Sequence, residues 1–338
     1  MKIRSAIITG IIVIVSISIV LSVYHSGQSE SENKIRVAFF PNVGHVVPIV
    51  GLEKGIFAHG LGNQTIIEPK IFDSGPQVIE AMYANSVDVA YIGPVPAING
   101  FLKSEKHDVK ILAGAASGGA SFVIHPNSKI NSAEDLSGKR IAAPQIGNTQ
   151  DVSLRYYLSQ NGLLPAEKGG SVVVLNIQNP DIYTLFVKGE IDGAWVPEPW
   201  ATRLVQELGG KRLFFEEDLW PDKQFASAIL IGRTTYLEEN PQIIQSWIDS
   251  NNKTVTWINQ NPDETELIFN QFIKKTLGKS FPKNILDESF TNIKITSDPI
   301  EESISIFAER ANSLGYLGRN GYDLSGIFYT TIFKDDKS

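Results

Sequence analysis

The chain has 338 residues, 42% of them apolar, which is enough for two hydrophobic cores. A net charge of −7 leaves no basic stripe for a phosphate backbone, so a nucleic-acid partner is not expected. With no cysteine there can be no disulfide, thiolate nucleophile, Cys-ligated zinc, iron–sulfur cluster or lipid-modified Cys anchor.

Lys2 and Arg4 precede a charge-free run from Ala6 to Tyr24, followed by the polar linker HSGQSESEN. The run is close to the length of a bilayer span and no small-x-small cleavage site follows it. We therefore read it as an uncleaved anchor with the N-terminus inside and the rest outside, a cleaved signal peptide being the alternative.

From Lys34 the sequence alternates short β-like runs with helical spacing: Ile35 to Phe40, Thr65 to Phe72 and Val87 to Ile92 each run into a helical pattern. Val109 to Ala115 precedes the glycine-rich turn ASGGAS and then Phe122 to His125. A second set starts at SAEDLSGKRIAAP and continues through VVVLNI and GAWVPEP to about Asp222. FASAILI (225–231) reads as a returning strand, and NPQIIQSWIDSNNKTVTWINQNPDE, ETELIFNQFIKKTLG and DPIEESISIFAERANSLG as helices. This predicts an α/β fold of two lobes, each a mostly parallel sheet flanked by helices. The expected organisation is an anchor and linker over 1–33, lobe I over 34–125, lobe II over 126–222, and a return to lobe I over 223–338. Hinges are expected near 122–128 and 222–227.

Five strand-to-helix junctions would line one cleft: Asn42-Val43-Gly44-His45, Ser74-Gly75-Pro76-Gln77, Gly93-Pro94-Val95-Pro96, Gly147-Asn148-Thr149-Gln150 and Val196-Pro197-Glu198-Pro199. In APQIGNTQD (143–151) Asn148 or Thr149 would be the N-cap and Asp151 would sit in the first turn. The loop carries no Lys, Arg, His or Cys, yet free N–H groups at a helix start can bind an anion without a cation.

The blocks FDSGPQVIEAM, DVAYIGPVPAI, AEDLSGKRIAAPQIGNTQDVSLRYYLSQNGL and GEIDGAWVPEPWATRL resemble the substrate-binding proteins of ABC importers for nitrate, taurine and alkyl sulfonates, over about Ile35 to Pro241. GNTQDVSLRYYL and DLSGKRIA resemble the aliphatic-sulfonate branch in particular. The resemblance implies a type II periplasmic-binding-protein fold that closes on a small ligand and delivers it to a permease and its ATPase. It implies a monomeric, extracytoplasmic receptor that is not an enzyme.

The candidate ligand residues are Phe40, Asn42, His45, Ser74, Gly75, Gln77, Gly93, Pro94, Gln145, Asn148, Thr149, Gln150, Trp195 and Glu198. Ser74, Gly75, Gln77, Asn148, Thr149 and Gln150 offer neutral donors at two helix starts, suited to a sulfonate; their other reading is plain capping. His45 either faces the cleft or is a solvent-exposed or capping residue. Glu198 either binds an amino group, as taurine would require, or caps the helix that follows. Trp195, Phe40, Tyr91 and Phe122 would wall an organic chain or, for the last two, fill the core. Arg155, two turns into its helix, is placed on the exposed face. No metal or cofactor is expected: the five histidines show no H-x-x-H spacing, and neither G-x-S-x-G nor G-x-x-x-x-G-K-[ST] occurs.

The favoured ligand is an alkyl sulfonate or taurine, then nitrate or bicarbonate. A pyrimidine-precursor binder is the alternative. The thiamine-pyrimidine synthases, which share the fold and consume a pocket histidine, are the enzymatic rival; their cysteine cluster is absent here.

Overall fold

The computed structural model describes residues 33–62, 65–104, 108–318 and 321–330. The apolar run 6–24 and the 1–33 segment expected to carry it lie outside these, apart from Asn33. Among the described residues no helix is long and apolar enough to cross a membrane.

Lobe I is built on a six-stranded sheet. Its strands are β1 (Asn33–Phe39), β2 (Thr65–Ile71), β3 (Val89–Ile92), β4 (Val109–Gly118), β10 (Ala226–Arg233) and β11 (Ile293–Ile295), in the order β11-β4-β10-β3-β1-β2. Lobe II is built on a five-stranded sheet of β5 (Ala120–Ile124), β6 (Arg140–Ala143), β7 (Val173–Asn176), β8 (Gly193–Pro197) and β9 (Lys211–Phe215), in the order β7-β6-β8-β5-β9. The sheets are mixed rather than mostly parallel. β1 pairs parallel with β2 and β3, and β6 with β7 and β8. The strands that flank the crossings, β10 and β5, pair antiparallel with both neighbours. A strand that enters its sheet from the other lobe arrives without a crossover helix, and so runs against its neighbours.

The same fact moves the first boundary. β5 belongs to lobe II, so the expected hinge at 122–128 starts inside a strand and runs on within lobe II. The chain crosses instead at Gly118 and Gly119, both with φ +74, a conformation that L side chains rarely adopt. It returns over residues 216–225, through the short helical turns Glu216–Leu219 and Pro221–Lys223.

Strand alternation divides the core of lobe I. Ile35, Val37 and Phe39 face helices α1 (Val46–Glu53), α2 (Ile56–Leu61), α9 (Pro241–Gln260) and α10 (Pro262–Leu277). Ala38 and Ala90 face α3 (Gly75–Tyr83), α4 (Pro94–Lys103) and α12 (Glu301–Ser313). On the first face Phe57 stacks on Trp247 with ring centroids 4.1 Å apart, and truncating either to Ala would cost about 3–5 kcal/mol. Lobe II is covered by α5 (Thr149–Gln160), α6 (Asn179–Val187) and α7 (Trp200–Gln206). Helix α8 (Thr234–Glu239) follows β10, and α11 (Lys283–Thr291) leads into β11. Neither α11 nor β11 is among the elements expected from the sequence.

Candidate ligand site between the lobes

The parallel strands of both sheets point their carboxyl ends at the gap between the lobes, and each is followed by a helix start. The cavity there is about 50 Å³. Lobe I lines it with Phe40, Asn42, Gly44, His45, Asp73, Gly93, Ser227 and Ile293; lobe II with Pro144, Asn148, Thr149, Gln150, Asn179 and Pro197; Gly118 and Gly119 form its hinge edge. Gly93 has no Cβ to spare here: one would stand 2.3 Å from Thr149 Oγ1.

These lining residues include no Lys or Arg. The helix starts are Ser74 for α3, Asn148 for α5 and Gln178 for α6, and none of them caps its helix with its side chain. The oxygens Ser74 Oγ, Thr149 Oγ1, Asn179 Oδ1 and Ser227 Oγ are buried without a protein partner. A buried polar atom left unmatched costs about 1–3 kcal/mol, so the three that line the cavity, on Thr149, Asn179 and Ser227, are poised to gain from a hydrogen-bonding guest. Helix α5 adds the N–H groups of its first turn, which have no acceptor one turn back.

His45 is 4% exposed, and its Nδ1 accepts from the Phe40 N–H at 3.2 Å while its ring lies 4.3 Å from the Phe40 ring. Burial pushes its pKa down to about 3. The ring is therefore neutral and carries its proton on Nε2, a donor without a charge. Asp73 brings the one carboxylate among the lining residues.

The 144–150 loop is held from behind. Asp151, wholly buried, accepts from Gly147 N–H at 2.9 Å, Tyr316 O–H at 2.7 Å, Arg155 Nε at 2.6 Å and Asn176 Nδ2 at 2.8 Å. Asn176 also donates to Pro144 O at 3.0 Å. Arg155 is thus not on an exposed face: it is 6% exposed and bonds Asp151, Glu167 and Asn176. Among the described residues no cluster of three or more His, Asp or Glu side chains is placed to hold a metal ion.

Residues 28–270 match the NMT1-like family. The chain belongs to the NMT1-like family. It is 28% identical over 247 residues to a binding protein of Brucella abortus (strain 2308), covering 71% of this chain and 72% of that protein. It is 29% identical over 179 residues to the taurine-binding periplasmic protein of Escherichia coli (strain K12), covering 53% of each. Among solved structures, the alkanesulfonate-binding protein SsuA of Xanthomonas axonopodis pv. citri bound to MOPS superposes with a TM-score of 0.72 at 15% identity, over 88% of this chain and 98% of that one. That likeness confirms the two-lobed periplasmic-binding-protein fold.

In this NMT1-like protein the cavity brings together Phe40, Asn42, His45, Gly93, Asn148, Thr149 and Gln150 from the expected set. Ser74 is buried and does not line it. Gly75 packs against Pro96, and a Cβ there would stand 3.6 Å from Asn148 Oδ1. Gln77, Pro94 and Gln145 belong to the same junctions but do not line the cavity. Trp195 is not a wall: it is wholly buried in lobe II, stacked on Phe122, with its Nε1 donating to Glu216 at 2.7 Å. Tyr91 and Phe122 are core. Glu198 takes the capping alternative, accepting from the Thr202 N–H at 2.9 Å in the first turn of α7.

Sequence reasoning overlooked Asn179, Ser227, Ile293 and Asp73. Asn179 follows β7 just as the five named junctions follow their strands, so the same rule would have found it. Asp73 stands beside Ser74 in FDSGPQ, one residue ahead of the helix start that the junction rule selects.

Proposed function

We propose that this NMT1-like protein is the extracytoplasmic substrate-binding receptor of an ABC importer, binding a small organic sulfonate or taurine, and next in order nitrate or bicarbonate, without transforming it. The observation that carries this reading is the pair of unmatched buried hydroxyls on Thr149 and Ser227, free to donate beside helix starts in a cavity without cationic side chains. A sulfonate remains anionic at physiological pH and spreads its charge over three oxygens, so it suits several neutral donors. A cavity of about 50 Å³ has room for on the order of four water-sized spheres, the bulk of a sulfonate head or a nitrate ion. With Trp195 withdrawn to the core, the apolar wall reduces to Phe40 and Ile293, which favours a short chain such as taurine's. Asp73 then supplies the carboxylate for an ammonium group, the role weighed for Glu198.

The partners in this reading are a permease and its ATPase, with the protein acting as a monomer held at the membrane by residues 6–24. Full-length protein should resist carbonate extraction from membranes; a mature N-terminus near Gly27 would replace the anchor with a cleaved signal.

A melting screen against taurine, butanesulfonate, nitrate, bicarbonate and formylaminopyrimidine at equal ionic strength tests the ligand. An anion at about 100 times its dissociation constant should add roughly 2.7 kcal/mol of stability. Thr149→Val with Ser227→Ala should abolish that shift. A response to the pyrimidine alone would overturn the anion reading in favour of precursor uptake.

A further inference from the structure

The chain crosses between the lobes twice, and beside the first crossing a third tie is made by side chains alone. Glu198 follows β8 in lobe II and is 1% exposed. Its N–H donates to Gly119 O at 2.8 Å, which places its backbone against the crossing itself. Its Oε1 accepts from Asn292 Nδ2 at 2.8 Å and lies 3.5 Å from Arg212 Nη2 on β9. Arg212 also donates to Glu288 at 3.1 Å. Glu288 lies on α11, and Asn292 directly follows it. That helix is rooted in lobe I, where Leu286 and Phe290 pack into the core. Ile293, the next residue, pairs with Gly118.

We propose that Glu198 is a positioning residue for ligand capture. Together with Asn292 and the Arg212–Glu288 pair it forms a non-covalent third member of the hinge, joined in both the open and closed forms, which confines the lobes to one axis of rotation. In a rigid rotation atoms move in proportion to their distance from the axis, and every bond in this cluster lies within a few residues of Gly118 and Gly119. Two strands of backbone alone permit twisting as well as closing. A buried carboxylate held from both lobes removes the twist, so that Thr149 returns opposite Gly93 each time the cleft shuts. The carboxylate can serve because it is not left bare: four groups, Thr202 N–H, Asn292 Nδ2, Ser289 Oγ and Arg212, offset its loss of water.

The inference rests on the receptor reading for its purpose, but its test needs no ligand. Because the chain has no cysteine, Glu80→Cys on α3 and Glu190→Cys in lobe II give unique spin-label sites on exposed positions. The interlobe distance distribution of the full-length protein is then measured by pulsed EPR. Asn292→Ala with Glu288→Ala removes the two shortest ties to lobe I, leaving Ser289 Oγ at 3.4 Å and the bonds of Glu198 within lobe II. The distribution should widen about twofold, and affinity for whichever anion binds should fall about three- to tenfold as the binding-competent fraction drops. Glu288→Gln alone, which keeps an acceptor for Arg212, should retain the parent width. An unchanged width in the double variant overturns the proposal. Should that variant fail to fold, Asn292→Ala alone decides on the same readout.

Discussion

Gly93 and Thr149 touch across the lobe boundary, with no room for a methyl group between them: a Cβ on Gly93 would lie 2.3 Å from Thr149 Oγ1. Gly93 has φ −69, so alanine meets no backbone strain there. Gly93→Ala should therefore fold normally and act as a wedge. If it leaves the closed form about 1% populated, apparent ligand affinity drops about 100-fold. Titration calorimetry beside a melting curve separates this from a folding defect; unchanged affinity would mean that the contact is not part of closure.

Binding should be flat with pH. His45 is buried and neutral with its pKa near 3, and the other donors in the cavity do not titrate. The dissociation constant for a strong-acid anion should vary little between about pH 5.5 and 8. A tenfold weakening across that range would show instead that His45 binds as a cation.

Glu216 gives the opposite kind of test. It is wholly buried, donated to by Ser153 Oγ at 2.5 Å and Trp195 Nε1, and burial raises its pKa from 4.5. Between its unfolded and its folded pKa the native state holds a proton that the unfolded chain has released. Its contribution is thus complete below 4.5 and is lost as pH rises through the raised value. Glu216→Gln offers the same partners an oxygen and an N–H without the charge. The variant should melt about 2–4 °C above the parent at pH 7.5, the response to roughly 1 kcal/mol, and the gain should vanish at pH 4. A variant that melts lower at both pH values would show that the carboxylate is needed as such.

Tyr316 donates to Asp151 from the segment after α12, bonding lobe I to the helix start that frames the site. Tyr316→Phe leaves Asp151 three donors and removes the fourth. Stability should fall by about 1–3 kcal/mol, measured by urea denaturation. A loss below the error of the extrapolation would mean that water replaces the hydroxyl at no cost.

The junctions were legible because Gly, Pro, Asn and Ser interrupt an apolar run just before helical spacing begins, and that punctuation is local. The depth of a side chain is not. Trp195 sits two residues before the end of β8, and only the pairing of β8 with β5 puts its ring toward Phe122 rather than the cleft. Helical spacing places Arg155 on the outer face of α5, whereas its burial comes from the buried Asp151 below it and from Glu167 and Asn176, which lie beyond the helix. Ser227 escaped for another reason. β10 is antiparallel, so its amino end lies beside the carboxyl end of β3, and a search confined to carboxyl ends passes over it. Ile293 lies on a strand of three residues, too short for any periodicity to reveal.

The insertion of β10 between β3 and β4 also bears on how the chain acquires its shape. Every strand of the lobe II sheet lies between Ala120 and Phe215, so that sheet has all its strands while the other still lacks two, β10 and β11. Until Ala226–Arg233 emerges, β3 and β4 have no partner between them and two apolar edges stand open. Lobe II is thus the unit equipped to form first, and lobe I completes itself around a gap only when the last third of the polypeptide arrives.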